Sequence, residues 1–320
     1  MKKHFILSAL VLLFGVSAMA QEEVVPAKDS HWHGKGNIGL NFSQGSYTNW
    51  AAGGQNTLAW MGTFNYSINY AKDNFKWTNT LNTALGYSFF DFKKKAIKTD
   101  DQIEFTSLAA LKATKTLNYS LELAFRSQFA KGYDYKIDST NYTSRWLAPA
   151  YISLGLGMEW VPSEHFSLNF APLAGRITIV NDTLLAANGA YGVNTLDEHD
   201  PTDHTIKTIR YEFGARMVAK LNYSLLKNVD FESKLELFSN YLNHPERIDV
   251  DWQNLLVLKV NSWLNCNFGT HLIYDYDIKF PELNKQGEPQ IDPETGETLM
   301  TKGSKVQFKE VLSIGFLINI

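Results

Sequence analysis

The stretch Val306-Gln307-Phe308-Lys309-Glu310-Val311-Leu312-Ser313-Ile314-Gly315-Phe316-Leu317-Ile318-Asn319-Ile320 decides the fold. Val306, Phe308, Leu312, Ile314, Phe316, Ile318 and Ile320 share one face, interrupted only by Glu310. Gln307, Lys309, Val311, Ser313, Gly315, Leu317 and Asn319 share the other. A helix turns its side chains by about 100° per residue and cannot keep these two sets apart; a strand, with period two, does so automatically. The same segregation recurs upstream. Val229, Phe231, Leu235, Leu237 and Tyr241 oppose Asp230, Glu232, Lys234, Glu236 and Asn240, and Tyr119, Leu121, Leu123 and Phe125 oppose Ser120, Glu122 and Arg126.

Twelve strands are expected, at about 36–43, 57–70, 75–89, 102–114, 118–129, 147–160, 166–179, 206–221, 229–240, 250–260, 265–278 and 306–320. Most exceed the ~5–6 residues usual in soluble sheets and meet the ~9–11 tilted residues that cross a bilayer. Short links (71–74, 115–117, 161–165, 261–264) alternate with longer ones (44–56, 90–101, 130–146, 180–205, 241–249, 279–305). Tight turns at one end and long loops at the other are the pattern of an outer-membrane barrel. Aromatic residues near strand ends (Trp60, Tyr70, Phe75, Trp77, Trp160, Phe166, Tyr241, Trp252) suit the girdles of such a barrel. The fold expected is an all-β, closed antiparallel transmembrane β-barrel of about twelve strands. An even strand count returns both termini to the periplasmic side.

The start of the chain agrees with export. Lys2 and Lys3, the apolar run Phe5–Val16 and Ala18-Met19-Ala20 read as a secretory signal peptide over 1–20. Residues 21–35 are expected as a periplasmic tail and 36–320 as the barrel. The chain of 320 residues is 44% hydrophobic with a net charge of −3, which excludes disorder and gives no support to a nucleic-acid partner. Its single cysteine, Cys266, excludes an internal disulfide framework.

The first long loop carries Asn49-Trp50-Ala51-Ala52-Gly53-Gly54-Gln55-Asn56. This W-x-x-G-G-x-N pattern resembles an outer-membrane family of Bacteroidota catalogued as domain of unknown function 3078. Leu147–Tyr151 leading to Gly155–Met158, Ile179–Asp182, Leu237–Leu242 and Thr270–Asp275 are similar to that family as well. The resemblance runs from about residue 36 to the C-terminus and implies an outer-membrane barrel; it supplies no catalytic residues. In physical terms Gly53 and Gly54 permit close backbone approach, and Trp50 and Asn56 either line a constriction or anchor the loop to the rim.

If the apolar faces meet lipid, the opposite faces line a lumen. Parity places Arg210, Glu212, Arg216, Asp230, Glu232, Lys234, Glu236, Glu104, Glu122, Arg126, Glu159, His271 and Asp275 there. The interleaved signs leave two readings: a hydrated channel, or a salt-bridged plug. His199, Asp200, Asp203 and His204 are weak metal candidates in an acidic loop, at spacings that match no metal signature. There is no G-x-S-x-G element, so an enzyme ranks third. The leading expectation is passive diffusion of a small polar solute, gated by loops 44–56, 180–205 and 279–305, with outer-membrane lipid as surroundings and no cofactor. The alternative is a non-conducting structural barrel that docks an outer-membrane protein partner. Pro149 and Pro172 fall in expected strands, where proline cannot donate to the ladder, so bulges or strand ends are expected there.

Overall fold

The computed structural model describes residues 31–46, 56–90, 96–135, 138–193, 205–286, 288–293, 298–301 and 303–320. The signal peptide, most of the N-terminal tail, Trp50, Gly53 and Gly54, and all four weak metal candidates therefore lie outside the described residues.

Twelve strands close into one antiparallel barrel: β1 (Trp32–Gly45), β2 (Thr57–Lys72), β3 (Phe75–Phe90), β4 (Ile97–Lys112), β5 (Leu117–Ser127), β8 (Ala150–Ser163), β9 (Phe166–Ile179), β10 (Ile209–Leu226), β11 (Val229–Asn240), β12 (Ile248–Lys259), β13 (Leu264–Tyr274) and β14 (Gln307–Asn319). Neighbours in sequence are neighbours in the sheet, and β1 closes on β14 in the register Asn37↔Asn319 to Phe42↔Ile314. A hairpin of β6 (Gly132–Asp134) and β7 (Asp138–Ser144) stands in the loop between β5 and β8. A short helix, Thr183–Ala187, follows β9.

Three expectations are corrected. The first strand begins at Trp32, so the tail ends before residue 35. β13 ends at Tyr274, which puts Asp275 just past the strand at the barrel mouth. β4 starts at Ile97, several residues before the expected boundary, so part of the presumed loop 90–101 is wall. The prolines behave as their chemistry requires. Pro149 precedes β8. At Pro172, β9 carries one extra residue against both neighbours: β10 pairs Gly214 with Ala174 and Arg216 with Ala171, and β8 pairs Leu156 with Leu173 and Met158 with Phe170. Opposite this bulge the backbone of Phe170 and Ala171 comes too close to Gly157 to admit a side chain.

The distribution of apolar surface is inverted relative to a soluble barrel. Leu154, Leu156, Leu312, Ile314 and Ile318 point outward and are each more than half exposed. Glu104, Glu122, Glu212 and Arg216 point inward and are buried. Burying carboxylates while exposing leucines would be strongly unfavourable in water, and it is the arrangement a bilayer selects. Aromatic contacts gather near the strand ends, among them Trp32 with Tyr70 and Trp77, Trp160 with Phe166, Trp60 with Tyr87, and Phe213 with Tyr241. Two outward indoles also donate to serines on the neighbouring strand, Trp77 to Ser107 and Trp252 to Ser233, which satisfies their polar edge on an otherwise apolar face.

Candidate functional site

The lumen is built asymmetrically. Its charged wall runs from β5 through β8–β12, where ion pairs cross the interior. Arg216 on β10 bridges Glu122 on β5 and Glu236 on β11, the latter at 2.8 Å. Glu122 also accepts from the amide of Asn169, whose oxygen accepts from the Ser120 hydroxyl, both at 2.7 Å. Lys234 on β11 reaches Glu104 on β4, and the Gln102 amide donates to the same carboxylate. Arg126 on β5 meets Asp251 on β12 at 2.5 Å, and Asp251 lies 2.9 Å from His271 Nε2.

Nearer the long-loop end, Arg176 makes a two-pronged contact with Glu212 at 2.7 and 2.8 Å and reaches Asp249 at 2.7 Å. Its guanidinium also stacks 4.1 Å from the Phe238 ring centre. Phe238 packs with Ala171 and Ala174 to fill that side of the interior. Arg210 joins Glu212 at 2.9 Å to Asp277 at 2.7 Å. Each of these buried charges therefore has a partner of opposite sign, which is the condition for keeping it charged away from bulk water.

The other wall, from β1 to β3, is neutral. Asn37, Asn65, Thr63, Thr80 and Asn82 face a cavity of about 530 Å³. The Asn65 amide donates to Asn37 at 2.9 Å, and the Ser67 and Thr80 hydroxyls are 3.3 Å apart. Amide and hydroxyl pairs from adjacent strands form short rungs along this side. A second cavity of about 280 Å³, between Arg126, Tyr151, Tyr191 and Asp275, continues it toward the long loops. A third, of about 310 Å³, opens beside the β6–β7 hairpin at Tyr133 and Tyr135. The first and second share Asp100, Gln102, His271 and Lys309, and the second and third share Asp100, Asp101, Gln128, Ser144 and Lys309, so each cavity adjoins the next.

The segments above β5 and β9 fold together over the barrel. Asp182 caps the short helix by accepting from the amides of Leu184 and Leu185, each at 3.0 Å. The same carboxylate takes the Tyr142 hydroxyl at 2.7 Å and the Arg145 guanidinium at 2.9 Å. Ala148, Val180, Leu185, Ala186 and Val193 form a small apolar core beneath. Burial pushes the Asp182 carboxyl upward, yet its bonds from Leu185, Tyr142 and Arg145 hold it below the ordinary carboxylate value. A lowered folded value means that its contribution is complete above the ordinary pKa and is lost as pH falls through the lowered one. The cap is thus expected to be intact at neutral pH and to loosen only in strong acid. Replacing Asp182 with alanine removes about 1 kcal/mol of helix capping, and limited proteolysis should then cut within the loop segments 138–149 and 180–193 while the barrel strands between them stay folded.

Of the sequence-derived lumen candidates, Glu104, Glu122, Arg126, Arg210, Glu212, Arg216, Lys234, Glu236 and His271 all enter this network. Glu159 accepts from Asn118 at 3.0 Å, and Asp230 pairs with Lys259 and Ser224, outside the main chain of contacts. Glu232 lines the large cavity, where it has no hydrogen-bond or ion-pair partner among the described residues. Sequence parity missed Arg176, because the extra residue at Pro172 reverses the alternation of β9; the proline was the available signal. It missed Asp100 because β4 begins earlier than expected.

A family model described as a protein of unknown function (DUF3078) matches residues 42–133, from the end of β1 to the β6–β7 hairpin. No curated protein matches the sequence. Among solved structures, the chain is similar to an outer membrane channel from Pseudomonas putida F1, with 9% identity, a TM-score of 0.39, and 94% of this chain and 100% of that chain covered. It is also similar to the translocator domain of the autotransporter NalP from Neisseria meningitidis, with 9% identity, a TM-score of 0.32, and 91% and 90% covered. The NanC porin matches with 9% identity, a TM-score of 0.34, and 90% and 98% covered.

Proposed function

We propose that this protein is an outer-membrane barrel through which a small polar solute diffuses passively, with both termini on the periplasmic side and no covalent chemistry of its own. The observation that carries the reading is the set of three adjoining cavities that runs from the long-loop mouth, past Asp100 and Lys309, to the amide-lined interior against β1–β3. The ion-pair network supports it indirectly. By consolidating the β5–β12 side, it fixes the shape of the remaining space and cancels most of the charge that would otherwise favour one sign of ion.

Swelling of proteoliposomes in solutions of small neutral sugars and amino acids tests the proposal. Influx above that of protein-free vesicles, falling as solute size rises, is the expected result. The density of cross-lumen ion pairs favours a second reading, a closed barrel that docks an outer-membrane protein partner through its loops. Vesicles that contain inserted barrel but swell no faster than empty ones would select that second reading.

A further inference from the structure

Among the described residues, only Asp100 and Lys309 line all three cavities. They form an ion pair of 2.6 Å. Asp100 stands on β4 and Lys309 on β14, with β3, β2 and β1 between them in the sheet. The contact is thus no ladder rung along the wall; it spans a sector of the lumen where the cavities meet. Of the other cross-lumen pairs, Lys234 with Glu104 lines only the first cavity, Arg126 of the Asp251 pair lines only the second, and Arg216 with Glu122 lines none of the three and is deeply buried. The Lys309 side chain keeps 47% of its surface accessible and the Asp100 side chain 15%. A wet ion pair on a flexible lysine stem parts at small cost, because water replaces each partner.

We propose that Asp100 and Lys309 form the selectivity gate of this passage. The inference rests on the diffusion reading above and adds the place where charge is sensed. While the pair is closed the two charges cancel, and the junction favours neither sign. Parting it exposes a carboxylate and an ammonium on opposite sides of the route. His271 strengthens the assignment of this level as the sensing point: it is the cross-strand neighbour of Lys309 and lines the first two cavities.

Reversal potentials across planar bilayers, under a potassium chloride gradient, give the test. Lys309→Gln leaves the Asp100 carboxylate alone and should move the cation-to-anion permeability ratio up by about fivefold, the combined effect on both ions of one uncompensated charge ~5 Å from a wet path in ~0.1 M salt. Asp100→Asn should move the ratio down by a similar factor. Lys309→Arg and the exchanged pair Asp100→Lys with Lys309→Asp should both restore the original ratio, which a general loss of folding could not do. Conducting variants whose ratios all equal that of the wild type would overturn the gate and leave the channel reading intact. A silent wild type beside a conducting Asp100→Asn barrel would support a closed gate. Silence in every inserted barrel would overturn the channel reading and the gate with it.

Discussion

Replacing Arg216 with alanine will destabilise the barrel by about 3–5 kcal/mol, the usual cost of removing one member of a buried ion pair. Arg216 is only 5% exposed and holds two carboxylates, Glu122 and Glu236, that converge from strands on either side of it. Without the guanidinium, Glu122 keeps Asn169 as its remaining donor, and two carboxylates stand together in a poorly hydrated interior. The cost arises mainly from those stranded charges. Converting the set to neutral groups, with Arg216→Met, Glu122→Gln and Glu236→Gln together, should therefore recover most of the loss. Urea unfolding of the refolded barrels measures both. A loss below ~1 kcal/mol for the single variant would mean that water reaches this side of the lumen freely.

An arginine at position 156 will impair insertion nearly as much. Leu156 lies midway along β8, points outward, and is flanked across the strands by Leu121 and Leu173. An outward arginine near the bilayer centre costs about 2–4 kcal/mol. Thr80→Arg, which faces the open cavity from β3, should cost far less, because its charge meets water. Refolding into lipid vesicles at graded urea distinguishes the two sites. Equal costs at 156 and 80 would show that the outward face does not contact lipid.

The barrel itself was legible because alternation is a local property. Each strand declares its two faces without reference to the others, and the link lengths declare its direction. Inward positions such as Glu122, Arg216 and Glu236 follow from that parity. Their partners do not. Arg216 meets Glu122 only because β5 and β10 curve to face each other, which no spacing within either strand encodes.

Arg176 was hidden by a different cause, the bulge that shifts β9 by one residue at Pro172. Asp100 was hidden by a third. Lys98, Asp100 and Asp101 look like a solvated loop, and in a water-lined wall strand residues and loop residues experience the same solvent. Lys309 was visible on the polar face of the last strand, but its role depends on Asp100. The small helix capped by Asp182 and the β6–β7 hairpin are likewise indistinguishable from plain loop in the sequence, since the five-residue helix and the three-residue β6 are too short to show a period.

A lumen open to solutes is tested most directly by recording single-channel currents from the refolded protein lacking residues 1–20 in planar lipid bilayers, with insertion verified by heat-dependent gel mobility and protease resistance. Discrete, stepwise currents that rise with salt concentration are the expected result, together with a drop in cation preference on Glu232→Gln, the carboxylate that faces the cavity unpaired among the described residues. Verified, correctly inserted barrels that pass no current at any salt concentration, and admit no neutral sugar in the swelling assay, would contradict an open lumen.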